Sequence, residues 1–296
     1  MSGDIPRGDP GGVALSAPAD LVRRLDPDHF HAALFAPEPA RERLMVLTAF
    51  DIELSRATAK AGGVAEGPML AAMRLQFWRD RVEAAAAGKA PAAHQVVEPL
   101  HDLLTGPLGD GGVAETRRLI DGRDCELQTP LDDAGFEIWA DARFGAWHRL
   151  VLHVLGLRDT PGASDAAAAA GAAAARAFAI RNAVALAGEG RALLPEIEGE
   201  AQGRLARGDV TPETAAVIAR LSAEGRAALR KLRQYRGALG RAAAPAFLPL
   251  WRAERDLRAA ADGLPGGGHP LPARVVERGH SGRAAAYLWR TLSGRW

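Results

Sequence analysis

The apolar residues of this chain recur at helical spacing along most of its length. In residues 39–60, Leu44, Leu47, Phe50 and Leu54 are three or four positions apart, which places them on one face of an α-helix. No stretch alternates apolar and polar residues over a convincing length, as a half-buried strand would. The sequence therefore predicts an all-α fold, with further long helices over residues 69–87, 113–127, 134–155, 165–194, 211–237 and 245–260.

Glycine and proline mark the expected limits of the folded region. A chain of 296 residues can bury one large core, and nothing in it forces a division into independent domains. Residues 1–19 lack apolar periodicity and predict a flexible lead-in, and residues 20–262 predict one helical domain. GLPGGGHPLP over residues 263–272 is the clearest linker, and residues 273–296 predict a separate basic and aromatic helix.

Charge and cysteine content restrict the classes of function. The formal net charge of +1 provides no overall field to attract nucleic acid, so no nucleic-acid partner is expected. The single cysteine, Cys125, excludes an internal disulfide, and the N-terminal MSGDIPRGDPGG lacks the pattern of a signal peptide. We expect a cytoplasmic protein, with peripheral contact at the inner face of the membrane left open.

An alanine-rich segment, DAAAAAGAAAARAFAIRNAVALAGEG, lies in the middle of the chain. Its small side chains allow neighbouring helices to approach closely, and Phe178, Ile180 and Leu186 continue the apolar pattern. Low complexity here predicts a tightly packed helix, which is expected to stop at Leu194 and Pro195.

An ordered set of motifs resembles the squalene/phytoene synthase family. The set consists of DPDHFHAALFAPEPARERLMVLTAF, MRLQFWRD, LIDGRDCEL, ALLP and PAFLPL, and it spans residues 26–260. Within that family, AFDIELSRA and MRLQFWRD are most similar to short variants that resemble a mitochondrial assembly factor for respiratory complex I. The resemblance implies an isoprenoid-synthase-like helical bundle around a central cavity, and complex I assembly partners.

Family members that condense two prenyl diphosphates head to head carry two Asp-rich motifs on facing helices. Carboxylates four residues apart share a helical face, where they hold Mg²⁺ against the diphosphates. Aligned on the family's LLP, the second motif has Arg181 at the family's arginine and Asn182 at its first aspartate, while Leu186 replaces the second aspartate. Leu186 cannot bind a metal.

The first Asp-rich motif is altered in the same way. Aligned on AF at residues 49–50, the family's aspartate positions fall on Ser55, Arg56 and Ala59. Because neither motif keeps paired acids, the sequence predicts no metal site, and Mg²⁺ is expected only if the protein is nevertheless a condensing enzyme.

Three acids remain as candidate catalytic residues: Asp51, Asp121 and Asp124. Asp51 borders the apolar stripe and is expected to face the cavity, where Arg181 would be its natural ion-pair partner. Asp121 and Asp124 share a helical face in LIDGRDCEL, which fits either a polar cavity lining or a solvated surface.

Further residues are candidates for binding a cavity ligand such as a prenyl diphosphate. Arg74 and Trp78 of RLQFWRD combine charge with an aromatic anchor and suit a diphosphate contact or a partner surface. The full set of candidate lining residues is Asp51, Ser55, Arg74, Trp78, Asp121, Arg181 and Asn182.

The C-terminal helix has the composition of a segment at a membrane interface. It contains aromatic and basic residues, namely Tyr287, Trp289, Trp296, Arg283, Arg290 and Arg295. Aromatic rings insert at such interfaces while arginine meets anionic headgroups. Docking on its own domain explains the composition equally well.

Two hypotheses for the function follow. The first is a non-catalytic member of the family that acts in binding or in complex I assembly. The alternative is a Mg²⁺-dependent prenyltransferase that condenses two prenyl diphosphates and uses Asp51, Asp121 or Asp124 in place of the lost ligands.

Overall fold

A computed structural model describes residues 15–59, 67–262 and 280–296. Every regular element in these ranges is helical, which confirms the predicted all-α class. The predicted linker, most of the predicted lead-in and residues 273–279 of the predicted C-terminal helix lie outside the described residues. The predicted lead-in is wrong for residues 17–19, because the first described helix begins at Ala17, where the Ser16 hydroxyl caps it by accepting a hydrogen bond from the Ala19 amide.

The described ranges contain fifteen α-helices, some of only one turn. They are α1 (Ala17–Leu25), α2 (Pro27–Ala33), α3 (Ala40–Thr58), α4 (Gly67–Ala86), α5 (Val97–Leu103), α6 (Gly109–Cys125), α7 (Asp133–Ala140), α8 (Ala146–Val154), α9 (Ala163–Gly188), α10 (Gly199–Ala206), α11 (Pro212–Gln234), α12 (Arg236–Leu239), α13 (Ala244–Phe247), α14 (Trp251–Asp262) and α15 (His280–Ser293). No helix among them is long and apolar enough to cross a membrane.

Helix α9 is the centre of the fold. It packs against α7, α8, α10, α11 and α14, and alanines recur on its buried side at Ala166, Ala170, Ala173 and Ala177. Because these side chains are only methyl groups, the backbones of several helices can approach α9 closely. The alanine-rich segment is therefore part of the core, as its sequence predicted.

The end of α9 differs from the expectation. The helix ends at Gly188, and the predicted stop at Leu194 and Pro195 is wrong. Gly190 adopts a positive φ of 75°, and the Arg191 amide donates to the Leu186 carbonyl at 2.8 Å, which closes the helix as a left-handed cap. The residues after it form a loop that returns Arg191 towards the core.

Two glycines allow a short π-helical segment, Asp141–Gly145, to lie deep between α6 and α9. A Cβ on Gly122 of α6 would lie 2.8 Å from the backbone nitrogen of Arg143. A Cβ on Gly171 of α9 would lie 2.5 Å from the backbone nitrogen of Gly145. Both distances are too short for any side chain, so the two glycines fix how far Arg143 reaches into the bundle.

The C-terminal helix α15 is docked on the domain. The Tyr287 hydroxyl accepts a hydrogen bond from Trp251 Nε1 at 2.9 Å, and Trp296 packs on Phe247 with ring centroids 4.6 Å apart. Gly294, with φ of 66°, ends the helix and turns Trp296 back onto the domain. The sequence left open whether this helix docks on the domain or on a membrane. The structure shows that the side of the helix with Tyr287 contacts the domain.

The close contact at Gly171 gives a first prediction. Gly171→Ala is expected to lower the free energy of unfolding by about 2 kcal/mol, because the added methyl collides with backbone that cannot move aside. Gly188→Ala, in the same helix, is the matched control: nothing lies within 4 Å of its Cβ position, so stability should stay level or rise. Urea denaturation of both variants measures the difference, and equal effects would contradict the tight packing described.

Candidate functional site

A cavity of about 320 Å³ opens between α2, α3, α8, α9 and the start of α14. Aromatic side chains form its apolar wall: Phe144, Trp147 and Phe178. Ionisable side chains also line the cavity, with carboxylates, guanidinium groups and imidazoles from Asp26, Asp28, Asp51, His29, His148, Arg143, Arg181 and Arg252. Three of the residues predicted to line a cavity, Asp51, Ser55 and Arg181, do so.

Asp51 is held by two arginines. Its Oδ1 lies 3.3 Å from Arg123 Nη2 and 3.0 Å from Arg143 Nη1, and its Oδ2 accepts a hydrogen bond from Arg143 Nη2 at 3.0 Å. Arg123 also donates to the Ser55 hydroxyl. The guanidinium groups are 5% and 8% exposed at the side-chain level, while Asp51 is 21% exposed. The acid is therefore the cavity-facing member of a buried ion-pair cluster.

Arg181 does not pair with Asp51, and that prediction is wrong. Its Nε donates to Asp256 Oδ2 at 2.6 Å, and Asp256 is almost fully buried in α14. The sequence could not distinguish these partners, because both acids are distant from Arg181 in the chain and only the packing of α14 against α9 decides between them.

The ion pairs around Asp51 continue into the core through Glu126. This carboxylate lies 3.3 Å from Arg123 Nη1, 3.3 Å from Arg191 Nη2 and 3.7 Å from Arg143 Nε. Three guanidinium groups thus share two carboxylates, Asp51 and Glu126. Arg191 also lies 3.3 Å from Glu189 Oε2, so the three guanidinium charges are balanced once this more exposed carboxylate is included.

The pKa values follow from this arrangement. Burial disfavours the ionised form of Asp51, but the positive charges of Arg143 and Arg123 outweigh it and lower the pKa of the carboxyl. Burial and the adjacent Arg123 charge lower the pKa of the Arg143 guanidinium, although Asp51 and Glu126 oppose that shift. Asp51 is therefore ionised at neutral pH, and Arg123 and Arg143 neutralise its charge.

The two other carboxylates that line the cavity, those of Asp26 and Asp28, are also paired. His29 Nδ1 lies 2.7 Å from Asp26 Oδ2, and Arg252 Nη2 lies 2.8 Å from Asp28 Oδ2. Burial alone would raise the pKa of Asp26, but the charge and hydrogen bonds of His29 reverse the shift and lower it to about 2. Burial opposes protonation of His29, yet Asp26 raises its pKa. His148 behaves oppositely, because burial lowers its pKa to about 4.

The other predicted lining residues lie outside the cavity. Asp121 and Asp124 share one partner on the outer surface, Arg79, at 3.2 and 3.0 Å. Arg74 is exposed on α4, and Trp78 is buried against Phe50 with ring centroids 5.3 Å apart.

Asn182 is partly buried on α9. Its side chain donates to the Phe178 carbonyl of its own helix at 2.8 Å. It stands at the family's first aspartate position but does not line the cavity.

Sequence reasoning missed Asp26, Asp28, His29, Arg143 and Arg252 as cavity residues. Arg143 offered one signal, since it stands among the aromatic residues Trp139, Phe144 and Trp147, and a charge that is buried among them requires a partner. Asp26 and Asp28 offered a weaker signal, because Asp26 caps α2 and Asp28 lies in its first turn, where acids are common for local reasons.

The donor set does not fit the Mg²⁺ ions that the family's chemistry would require. An ion bound at Asp51 would stand beside Arg123 and Arg143, whose guanidinium groups already occupy the carboxylate oxygens. Asp26 and Asp28 are committed in the same way to His29 and Arg252. In the described ranges, no group of three or more His, Cys, Asp or Glu side chains is arranged to hold a metal.

The fold and cavity define an isoprenoid-synthase-like helical protein, and solved structures support this. The chain is similar to squalene synthase HpnC from Alicyclobacillus acidocaldarius, with a TM-score of 0.66 and 18% identity over 83% of this chain and 92% of that one. It is also similar to a dehydrosqualene synthase in complex with ligand, with a TM-score of 0.68 and 13% identity over 93% of this chain and 94% of that one. At these identities the likeness shows the fold.

Sequence comparison identifies the family. The model of the squalene/phytoene synthase family matches residues 22–262, and the chain belongs to that family, as its motifs predicted. A Drosophila melanogaster protein, a homologue of assembly factor 6 of NADH dehydrogenase (ubiquinone) complex I, is 26% identical over 154 residues. That match covers 51% of this chain and 45% of the relative, so the chain spans less than half of the relative's length.

The ion pairs of Asp51 give a second prediction. Asp51→Asn is expected to lower the free energy of unfolding by about 3 kcal/mol, because it leaves Arg123 and Arg143 buried without this counter-ion. The matched control is Asp121→Asn, whose side chain is 61% exposed and whose loss should cost less than about 1 kcal/mol. Chemical denaturation at neutral pH measures both.

A double variant separates the loss of an ion pair from a general disturbance. Asp51→Asn combined with Arg143→Gln should be less destabilised than the sum of the two single variants, because the uncompensated charge has been removed. An acid retained for metal binding behaves differently, since its replacement by Asn relieves repulsion and leaves stability unchanged or higher. That result would contradict the counter-ion role of Asp51.

Proposed function

We propose that this protein is a non-catalytic member of the squalene/phytoene synthase family that acts through binding, in the assembly of respiratory complex I. The observation that carries the first half of the proposal is the double arginine pairing of Asp51. Where a condensing enzyme holds Mg²⁺ on free carboxylates, this cavity presents carboxylates whose charge is already neutralised from within the protein.

The chemistry of the family explains why this matters. Release of diphosphate requires divalent metal to neutralise the leaving group, and the metal requires two sets of converging acids. At the family's aspartate positions this chain has Ser55, Arg56 and Ala59 on one helix and Asn182 and Leu186 on the other. The proposal therefore includes no cofactor.

The second half of the proposal rests on the matched relative. That protein is a homologue of a complex I assembly factor, and the similarity covers about half of the present chain. The partners would be components or intermediates of complex I.

One observation favours the alternative, a prenyl-diphosphate condensing enzyme. The cavity keeps an aromatic wall of Phe144, Trp147 and Phe178 beside Arg143 and Arg181, a combination suited to an apolar chain with an anionic end. Such a ligand can bind without reacting, so binding alone does not separate the two functions. Turnover does.

The assay that tests non-catalytic status measures diphosphate release. Purified protein incubated with farnesyl or geranylgeranyl diphosphate and Mg²⁺ is expected to release no more diphosphate than a protein-free reaction. Turnover above that background that disappears in Asp51→Asn, with the variant still folded by circular dichroism, would overturn the proposal in favour of the condensing enzyme.

The assembly role is tested separately in the cell. Deletion of the gene is expected to lower the amount of assembled complex I on a native gel, and the wild-type gene should restore it. Normal complex I in the deletion strain would remove the assembly role while leaving non-catalytic status to be decided by the diphosphate assay.

A further inference from the structure

Helix α15 presents an apolar face that the described part of the domain does not cover. Tyr287 on its inner side is 1% exposed, whereas Leu288, Trp289 and Leu292 on its outer side are 50%, 68% and 58% exposed. Positions 288, 289 and 292 lie within about 100° of one another on a helix, so these three side chains form one patch. We call it the α15 patch. An exposed tryptophan with two adjacent leucines on one helix requires an explanation.

Arginines border the α15 patch. A pocket of about 310 Å³ lies where α15 meets α11 and α14, and Trp289 is part of its lining. Four arginines but only one side-chain carboxylate, that of Glu254, line the same pocket; the arginines are Arg233, Arg236, Arg290 and Arg295. Glu254 contacts Arg233 at 2.5 Å and Arg290 at 3.9 Å. The border of the patch is therefore positively charged.

The pKa of Arg236 reflects this excess of positive charge. Burial lowers the pKa of its guanidinium, and the neighbouring charges of Arg233, Arg290 and Arg295 lower it further, with Glu254 opposing them. Arg236 is also fixed in place, since its Nε donates to the Trp296 carbonyl at 2.7 Å. The positive charges are thus held near each other by the docked chain rather than spread over mobile side chains.

A bilayer fits this combination better than a protein does. Trp and Leu enter the boundary between headgroups and acyl chains, and Arg binds the phosphates above it, so a single helix lying flat satisfies both. A second copy of the chain would bring two arginine clusters together, and like charges disfavour that contact. Three apolar side chains are also a small core for a stable protein interface.

We propose that the α15 patch, with the arginines that border it, is a docking surface for an anionic lipid bilayer. Tyr287 and Trp296 anchor the helix to the domain, and Trp289 with its neighbouring leucines enters the membrane interface. The bound protein lies on the surface of the bilayer, since none of the described helices is long and apolar enough to cross it. The docking does not depend on the assembly role or on the state of the cavity.

The experiment is sedimentation with lipid vesicles. The full chain is mixed with vesicles of phosphatidylcholine alone or of phosphatidylcholine with phosphatidylglycerol, and bound protein is measured in the pellet. We expect binding to the mixed vesicles, weak binding to the neutral ones, and a decrease when NaCl is raised from about 0.1 M to about 1 M, because salt screens the arginines.

Matched variants locate the binding surface. Trp289→Ala should lower the partition coefficient about tenfold, because the largest inserted side chain is lost. Ile138→Ala is the control: Ile138 is 64% exposed on α7, away from the patch, and its loss should leave partitioning unchanged. Because Trp289 is exposed, folding should persist, and thermal unfolding of each variant checks this.

Two double variants test whether the arginines beside the α15 patch contribute to vesicle binding. Arg290→Gln with Arg295→Gln should lower binding to the anionic vesicles about thirtyfold, because both lost charges lie near the bilayer surface. Arg23→Gln with Arg24→Gln removes the same charge from exposed positions on α1 and should have little effect. Comparison of the two double variants separates a local surface from an effect of net charge.

Four results would overturn the proposal. They are absence of binding to the mixed vesicles, equal binding to neutral and anionic vesicles, equal losses from Trp289→Ala and Ile138→Ala, and a dimer in solution that Trp289→Ala abolishes. The last result would identify the occupant of the patch as a second copy of the chain, and sedimentation equilibrium of the lipid-free protein detects it.

Discussion

The pairing of Asp51 with two arginines determines how the rest of the cavity is organised. A lone ionised carboxylate in a half-buried site requires a cation, and a divalent metal or a guanidinium group can supply it. In this chain Arg123 and Arg143 supply it from the protein itself. The same two arginines also pair with Glu126 deeper in the bundle, so each guanidinium group has carboxylate partners within the protein.

That pairing depends on close helix packing. Arg143 stands on the short π-helical segment between α6 and α9, and the segment lies deep in the fold because Gly122 and Gly171 leave room for its backbone. The alanine-rich surface of α9 serves the same purpose on a larger scale. Small residues at a few backbone contacts thus position the guanidinium group that neutralises the cavity acid.

Much of the fold was predictable from the sequence, and much of the site was not. The helical class and the buried alanine-rich helix follow from the spacing and size of side chains within one or two helical turns, and both can be seen in the sequence. The ion-pair partners of Asp51 and Arg181 could not be predicted in this way. Each partner lies in another helical segment far along the chain, and several other charged residues could have formed the same ion pair. Asp121 and Asp124 illustrate the limit, since their shared helical face was read correctly but only the position of Arg79 on α4 shows that the face points outward.

Two guanidinium groups already occupy the carboxylate oxygens of Asp51, where a cavity-bound metal ion would need them. Crystals grown or soaked with Mn²⁺ and inorganic diphosphate test this directly, because the anomalous signal of Mn²⁺ reveals any bound ion. We expect no Mn²⁺ at bonding distance from the Asp51 oxygens, with Arg123 and Arg143 still paired to them. A Mn²⁺ ion bound to Asp51, with Arg143 displaced, would contradict it.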